Sequence, residues 1–370
     1  MKRSIYIYAP SPSATMAFTP DMLYTRGLGG AETGIVILTR EWATRGHDVH
    51  FFGNAHMDAP QVYDGVTYHH KHTFPLFSSE SNLPQPDVLI IYRAAAEQLI
   101  AWCRVMWPKT KIVAFSTDQA TEGNYATWLA SVDRTVTISP FHTQFLIEHY
   151  FCDPDTIGHI DLPIVARDYA HYNDKPRENL FLWSSQHERG LARLALVWWQ
   201  IRDAIPDARL IITADHTLWG VTWNSTYEAH QRSYRNMFST DTGVEFLAAI
   251  PRQELVSYQK QAKIQLSSLT YEELFGISVM EAQAAGAIPV VGSMGALPTT
   301  VMVGECVPGN MNNETPLDAW VERVLDWAKR PDLPELSRKA HEMAMARCHP
   351  STVADQWENL FDSLYQERKG

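Results

Sequence analysis

Short apolar runs separated by helical periods set the frame of this chain. Ile5-Tyr6-Ile7-Tyr8 opens it, and the runs HDVHFF, DVLIIY, KIVAF and RTVTI follow, each bounded by glycine, proline or asparagine signals that predict buried strands. A second series, NLFLW, ARLIITA, VEFLAAI, KIQLS and IPVVG, repeats the alternation after a polar, tyrosine-rich stretch, RDYAHYNDKPR, between Arg167 and Arg177. Strands that alternate with helices and are apolar on both faces predict parallel sheets covered by helices. The fold class expected is therefore α/β, with two Rossmann-like domains. Residues 1–172 form the first, completed by a C-terminal helix within 350–370, and residues 173–349 form the second. Residues 215–243 interrupt the second series with a polar, aromatic insertion that predicts one helix from Tyr227 to Met237.

Two helices carry a clear face. Ala95 to Trp107 puts Leu99, Trp102, Cys103 and Met106 on one side, which reads as core, with docking on a lipid surface as the second reading of its aromatic and basic end. Ser351 to Leu364 puts Trp357, Leu360, Phe361 and Leu364 together.

Composition narrows the classes. A chain of 370 residues is too long for one ordinary core, which agrees with two domains. With 45 % hydrophobic residues it reads as a globular protein, and a net charge of −11 argues against nucleic acid as the main partner. Cys103, Cys152, Cys306 and Cys348 have no paired spacing, so neither zinc nor a disulfide framework is expected, and a reducing cytoplasm fits. No apolar run approaches ~18 residues, the length of a membrane span, and the run ending at Pro10 is too short for a signal peptide.

The densest chemistry lies in Tyr271 to Val291, YEELFGISVMEAQAAGAIPVV. Glu273 and Glu281 flank a Phe275-Gly276 turn, and Ser278 begins a Ser-x-x-Glu capping-box pattern, so a helix is expected from Ser278 to Ala285 with its stop at Gly286. A helix N-terminus behind a glycine turn favours a phosphate, because unpaired N–H groups and the helix dipole act together. Carboxylates on either side can accept hydrogen bonds from hydroxyls. Two readings stand for them: a sugar nucleotide bound by both, or Glu281 closing a capping box and Glu273 solvated. Upstream, Gly27-Leu28-Gly29-Gly30-Ala31-Glu32 opens another helix, although Glu32 stands where a dinucleotide fingerprint requires glycine. Gly29 and Gly30 serve either a phosphate approach or close packing of the helix. Asp118 follows the KIVAF strand, where a parallel sheet opens on its ligand crevice. His69, His70 and His72 have no carboxylate or cysteine at ligand spacing and are expected in a surface loop, and Asp153-Pro154-Asp155 reads as a turn.

The segment from Tyr271 to Val291 resembles the signature of retaining glycosyltransferases of the GT-B type, family four, in which two glutamates stand with seven residues between them; Leu274 replaces the usual glycine and Gln283 the usual methionine. Gly27 to Val49 and Trp183 to Gly190 extend the resemblance. So does Ser139-Pro140-Phe141-His142, with Ser139 as a helix cap. The resemblance implies two Rossmann-like domains facing a cleft, the final helix returning to the first domain, and transfer of a sugar from a nucleoside diphosphate to an acceptor hydroxyl, as in cell-surface polysaccharide or glycolipid synthesis. It implies that Glu273 holds sugar hydroxyls and Glu281 the ribose diol, that the amides of Phe275, Gly276, Ile277 and Ser278 hold the pyrophosphate, and that Gly29 and Gly30 face it. Asp118 stands where relatives carry a His-Asp pair, here with Thr117 for the histidine. Relatives also carry an arginine and a lysine in the loop that reads Trp183-Ser184-Ser185-Gln186-His187-Glu188-Arg189-Gly190 here. By that alignment Arg189 is the leaving-group cation, helped by Ser184 or Ser185; the competing reading pairs Arg189 with Glu188. The implied donor is a UDP-sugar in preference to a GDP-sugar, with neither cofactor nor metal, and the acceptor is a saccharide or lipid-linked molecule. A cytoplasmic enzyme follows, with contact at the inner membrane face as an option. A sugar-nucleotide-binding protein without turnover, a glycan phosphorylase and a sugar-nucleotide epimerase are the rival readings.

Overall fold

The computed structural model describes residues 1–10, 18–25, 27–54, 59–78, 82–94, 96–119, 128–213, 218, 224–238, 243–267, 269–309 and 315–366. Parts of the polar loop after Ala9 and of the insertion at 215–243 thus lie outside the described residues. The chain divides into two compact units. The first comprises Met1–Pro20, Ala31–Pro163 and Pro350–Gly370; the second comprises Asp21–Gly30 and Ile164–His349. The passage at Pro163–Ile164 falls ahead of the polar stretch where the sequence places a linker. That stretch is part of the second unit's packing: Tyr169 donates to Gln259 at 2.7 Å, and Arg177 donates to Gln259, Ala262 and Ala285 carbonyls.

In the first unit the apolar runs become β1 (Ser4–Tyr8), β2 (Asp48–Gly53), β3 (Gln61–Tyr63), β4 (Val66–His70), β5 (Val88–Tyr92), β6 (Lys111–Phe115), β7 (Arg134–Thr137) and β8 (Ile157–His159). They form a sheet in the order β3-β4-β2-β1-β5-β6-β7-β8, parallel except for the β3–β4 pair. β5 and β6 are buried along their whole length, as strands with helices on both faces must be. The C-terminal helix Pro350–Gln366 belongs to this unit and buries Val353, Ala354, Trp357, Phe361 and Leu364; Leu360, expected on that face, is only half-buried. Trp357 meets Trp42 edge-on at 5.6 Å, and Arg45 ties the helix down through Asp355 and Glu358.

Two sequence expectations change here. His69 and His70 lie in β4, not in a loop, and His69 is buried, stacked on Phe52 with ring centroids 4.6 Å apart and 2.8 Å from His50. The helix Glu97–Met106 buries Leu99, Ile100 and Cys103, while Met106 is exposed, so the core face is turned toward Ile100.

The second unit holds β9 (Leu180–Trp183), β10 (Arg209–Ile212), β11 (Val244–Phe246), β12 (Ile264–Ser267), β13 (Ile288–Gly292) and β14 (Glu305–Val307). Every pairing is parallel, in the order β11-β10-β9-β12-β13-β14. The insertion helix runs Ser225–Met237, capped by Asn224, which accepts from the Tyr227 amide at 2.9 Å.

Candidate active site

Gly276 decides where the signature helix begins. It takes a left-handed backbone (φ +80°), and the helix runs Ile277–Ala284 with the Val279 and Met280 amides bonded to the Gly276 carbonyl. A Cβ at this position would lie 2.8 Å from Leu297 Cδ2. With Gly276 as the cap, Glu281 is five residues on and cannot close a capping box, so that expectation is overturned. Gly286 (φ +82°) ends the helix, with the Ala287 amide returning to the Ala282 carbonyl. The first-turn amides, Ile277 and Ser278 among them, open where a helix leaves donors without intrahelical acceptors.

Glu273 is held by its backbone. It bridges Gly295, and its carbonyl accepts from the Ala296 amide at 2.7 Å. Its buried carboxylate accepts from Arg189 at 2.6 Å, and the Arg189 guanidinium lies 4.6 Å over the Tyr271 ring. Arg189 is thus paired with Glu273 across 84 residues of sequence, not with its neighbour Glu188, which faces His230 at 3.5 Å. Arg189 Nε is buried, with no hydrogen-bond partner among the described residues. The turn His187–Arg189 closes on Gly190 (φ +118°), where a Cβ would meet Leu269 Cβ at 2.8 Å; the Leu269 amide donates to the Arg189 carbonyl at 2.9 Å.

Ser184 and Ser185 follow β9. Ser184 Oγ accepts from Gln265 at 3.2 Å, and the buried Ser185 hydroxyl has no partner among the described residues. Gly30 packs on the signature helix, where a Cβ would stand 2.2 Å from Ile277 Cγ2, so close packing is what this glycine provides in the structure; Gly29 is buried. Glu281 accepts from Arg252 at 2.7 Å, and Arg252 also donates to Asp168 at 2.6 Å; Arg252 and Glu281 are buried and Asp168 is partly buried. Burial works against the Arg252 charge, but Glu281 and Asp168 outweigh it and hold the guanidinium above its ordinary value.

Asp118 lies in the first unit, just past β6. Both its oxygens accept from Arg93, at 2.5 and 3.1 Å, and Arg93 also donates to Glu32 in the first turn of the helix Gly30–Thr44. Arg93 itself takes a left-handed backbone, φ +51°. Buried His142 donates from Nε2 to the Asp118 carbonyl at 3.1 Å, and burial pushes its imidazole down to about 4 against that bond. Ser139 caps the helix Pro140–Tyr150, accepting from the His142 amide at 3.0 Å. Asp153 caps a short 3-10 turn, Pro154–Thr156. Among the described residues no group of His, Cys, Asp or Glu is arranged to hold a metal, and no helix is long and apolar enough to cross a membrane.

Arg252, Asp168 and Arg93 are absent from the sequence expectations, and Glu32 enters them only as the residue that breaks a dinucleotide fingerprint. Arg93 had a signal, since it directly follows the DVLIIY strand as Asp118 follows KIVAF. Arg252 had none.

Two parallel-sheet α/β units define an architecture shared with GT-B glycosyltransferases. A glycosyltransferase from Rickettsia africae superposes with a TM-score of 0.72 at 13 % identity, over 99 % of both chains. An Anabaena protein crystallised with UDP and glucose superposes at 0.68 and 12 % identity, over 98 % of this chain and 100 % of that one. Residues 170–345 match the family model of glycosyl transferases group 1. A D-inositol 3-phosphate glycosyltransferase of Corynebacterium aurimucosum is 28 % identical over 177 residues, 44 % of this chain and 41 % of its own length. The match therefore spans about two-fifths of that curated relative.

Proposed function

We propose that the protein is a retaining, metal-independent glycosyltransferase that moves a sugar from a nucleoside diphosphate, UDP in preference to GDP, to an acceptor hydroxyl. The observation that carries this reading is the Arg189–Glu273 contact, which sets a cation beside the carboxylate of the family signature in the unit that matches the family model. In the transfer, the bond from the sugar's anomeric carbon to the diphosphate breaks, a bond to the acceptor oxygen forms on the same face, and the acceptor's proton leaves on the departing phosphate oxygen. Negative charge builds on the diphosphate. Arg189 and the amides opening the helix Ile277–Ala284 are fixed donors for that charge, and donors set in place beforehand stabilise it without reorganisation. Glu273 accepts from sugar hydroxyls, Glu281 from the ribose, and the Ser185 hydroxyl is a neutral donor nearby in sequence to Arg189.

The UDP and glucose in the Anabaena structure and the inositol phosphate glycosyltransferase activity of the corynebacterial relative support a sugar nucleotide donor. Work on a saccharide or lipid-linked acceptor, in cell-surface polysaccharide or glycolipid synthesis at the inner membrane face, is part of the same proposal. Incubation with labelled UDP-, GDP- and ADP-sugars tests it. Release of sugar or its transfer, persisting in EDTA, is the expected result. Binding without turnover would leave a sugar-nucleotide-binding protein, and activity restored only by manganese would end the metal-independent reading.

A further inference from the structure

Arg252 is in the wrong place for its charge. As the first residue of the helix Arg252–Gln261 it sets a cation at the positive end of the helix dipole, and it is buried to 6 % exposure. A buried charge at such a position persists only where specific partners compensate it. Here they are Glu281, on the signature helix, and Asp168, in the short helix Ala166–Tyr169. The guanidinium divides its donors: Nε goes to Asp168 at 2.6 Å and an Nη to Glu281 Oε1 at 2.7 Å. Tyr169, next to Asp168, is fully buried and donates to Gln259 of the Arg252 helix at 2.7 Å, so this segment is fixed to that helix at two adjacent residues. Arg177 adds bonds to the Ala262 and Ala285 carbonyls, at the ends of the two helices that carry Arg252 and Glu281.

We propose that Asp168 and Arg252 are positioning residues for the nucleotide: Asp168 orients Arg252, and Arg252 holds one oxygen of Glu281 so that the other meets the ribose diol. The inference rests on the reading of Glu281 as the ribose contact. Among the described residues Arg252 engages Oε1 only. A planar, forked donor fits this task, since it can bond two carboxylates from fixed directions; a lysine in its place would reach one of them at a time.

Calorimetric titration with a matched pair of ligands tests the arrangement. Among UDP, GDP and ADP, the nucleotide giving the largest thermal shift is titrated alongside its 2′-deoxy form. Wild type is expected to prefer the ribose form by about tenfold, the scale of a hydrogen bond to a charged group. Glu281→Gln should bring that preference close to one. Arg252→Lys and Asp168→Asn should each reduce it at least threefold while the deoxy form binds as before. Arg252→Met should abolish it, and the two milder variants keep the experiment decisive if this one does not fold. A preference kept at wild-type level in Arg252→Lys and Asp168→Asn, but lost in Glu281→Gln, overturns the positioning role alone. A preference kept in Glu281→Gln overturns the ribose reading beneath it, and the absence of binding by all three nucleotides overturns the donor reading itself.

Discussion

Each unit sets one arginine, buried in the second and partly buried in the first, between two carboxylates, and the two arrangements reach the same composition by different local violations. In the second unit Arg252 stands between Glu281 and Asp168, on ordinary helical backbone but at the end of the helix where a cation is unwelcome. In the first unit Arg93 stands between Glu32 and Asp118, and the cost there is in the backbone, a left-handed turn that non-glycine residues seldom adopt. The partners differ as well. Glu281 lies on the helix Ile277–Ala284 within the segment that matches the family model, whereas Asp118 sits in a loop after Thr117, and His142 approaches from the helix Pro140–Tyr150. The contrast shows how little of a buried ion network pattern reading can reach: Arg252 breaks the rule for its helix end and leaves no signal, while Arg93 is marked only by its place directly after a strand.

Replacing the central arginines breaks the comparison most severely. Arg252→Met leaves two buried carboxylates without their cation and should cost about 3–5 kcal/mol. Arg93→Met should cost less, because Asp118 is 26 % exposed and can take up water in its place. Calorimetric unfolding of both variants checks this, and equal losses would mean that the two networks are equivalent. Next in size is the half-buried arginine beside Glu273. Arg189→Ala should lower turnover by about a hundredfold, the scale of losing a preorganised donor, and Arg189→Lys should keep part of the activity. Steady-state rates near wild type in the alanine variant would move the leaving-group role to another residue. The smallest effect separates the units by pH. His142 is buried neutral, with its imidazole pushed from 6.5 down to about 4. The unfolded chain binds a proton there first, so the stability this histidine contributes is complete above pH 6.5 and falls as the solution is acidified toward 4. At pH 5 the loss relative to pH 7 should be about 2 kcal/mol. Melts at both pH values should show a smaller difference in His142→Gln than in the wild type, and an unchanged difference would locate the acid sensitivity elsewhere.

Much of the fold was legible because both sheets are buried on two faces, which writes their strands as continuous apolar runs such as DVLIIY and IPVVG. Glu273 and Arg189 were legible through motif and alignment, although not as partners, since 84 residues separate them. The capping-box pattern at Ser278 does not form a cap, for a simple reason. Gly276 supplies a left-handed turn that starts the helix one residue earlier, and no side-chain cap is then needed. His69 was misplaced because three nearby histidines look polar in sequence, while a neutral imidazole stacked on Phe52 packs like any aromatic ring.

Gly295 contributes no functional group, yet it fixes where Glu273 can be. Its backbone is left-handed (φ +59°), and an added Cβ would fall 2.3 Å from the Glu273 carbonyl oxygen and 2.7 Å from its nitrogen. Main chain meets main chain there, with no flexible side chain to yield. Any side chain at 295 therefore pushes on the backbone that carries Glu273: a library that diversifies 295 along with its neighbours spends those members on chains whose Glu273 loop is displaced.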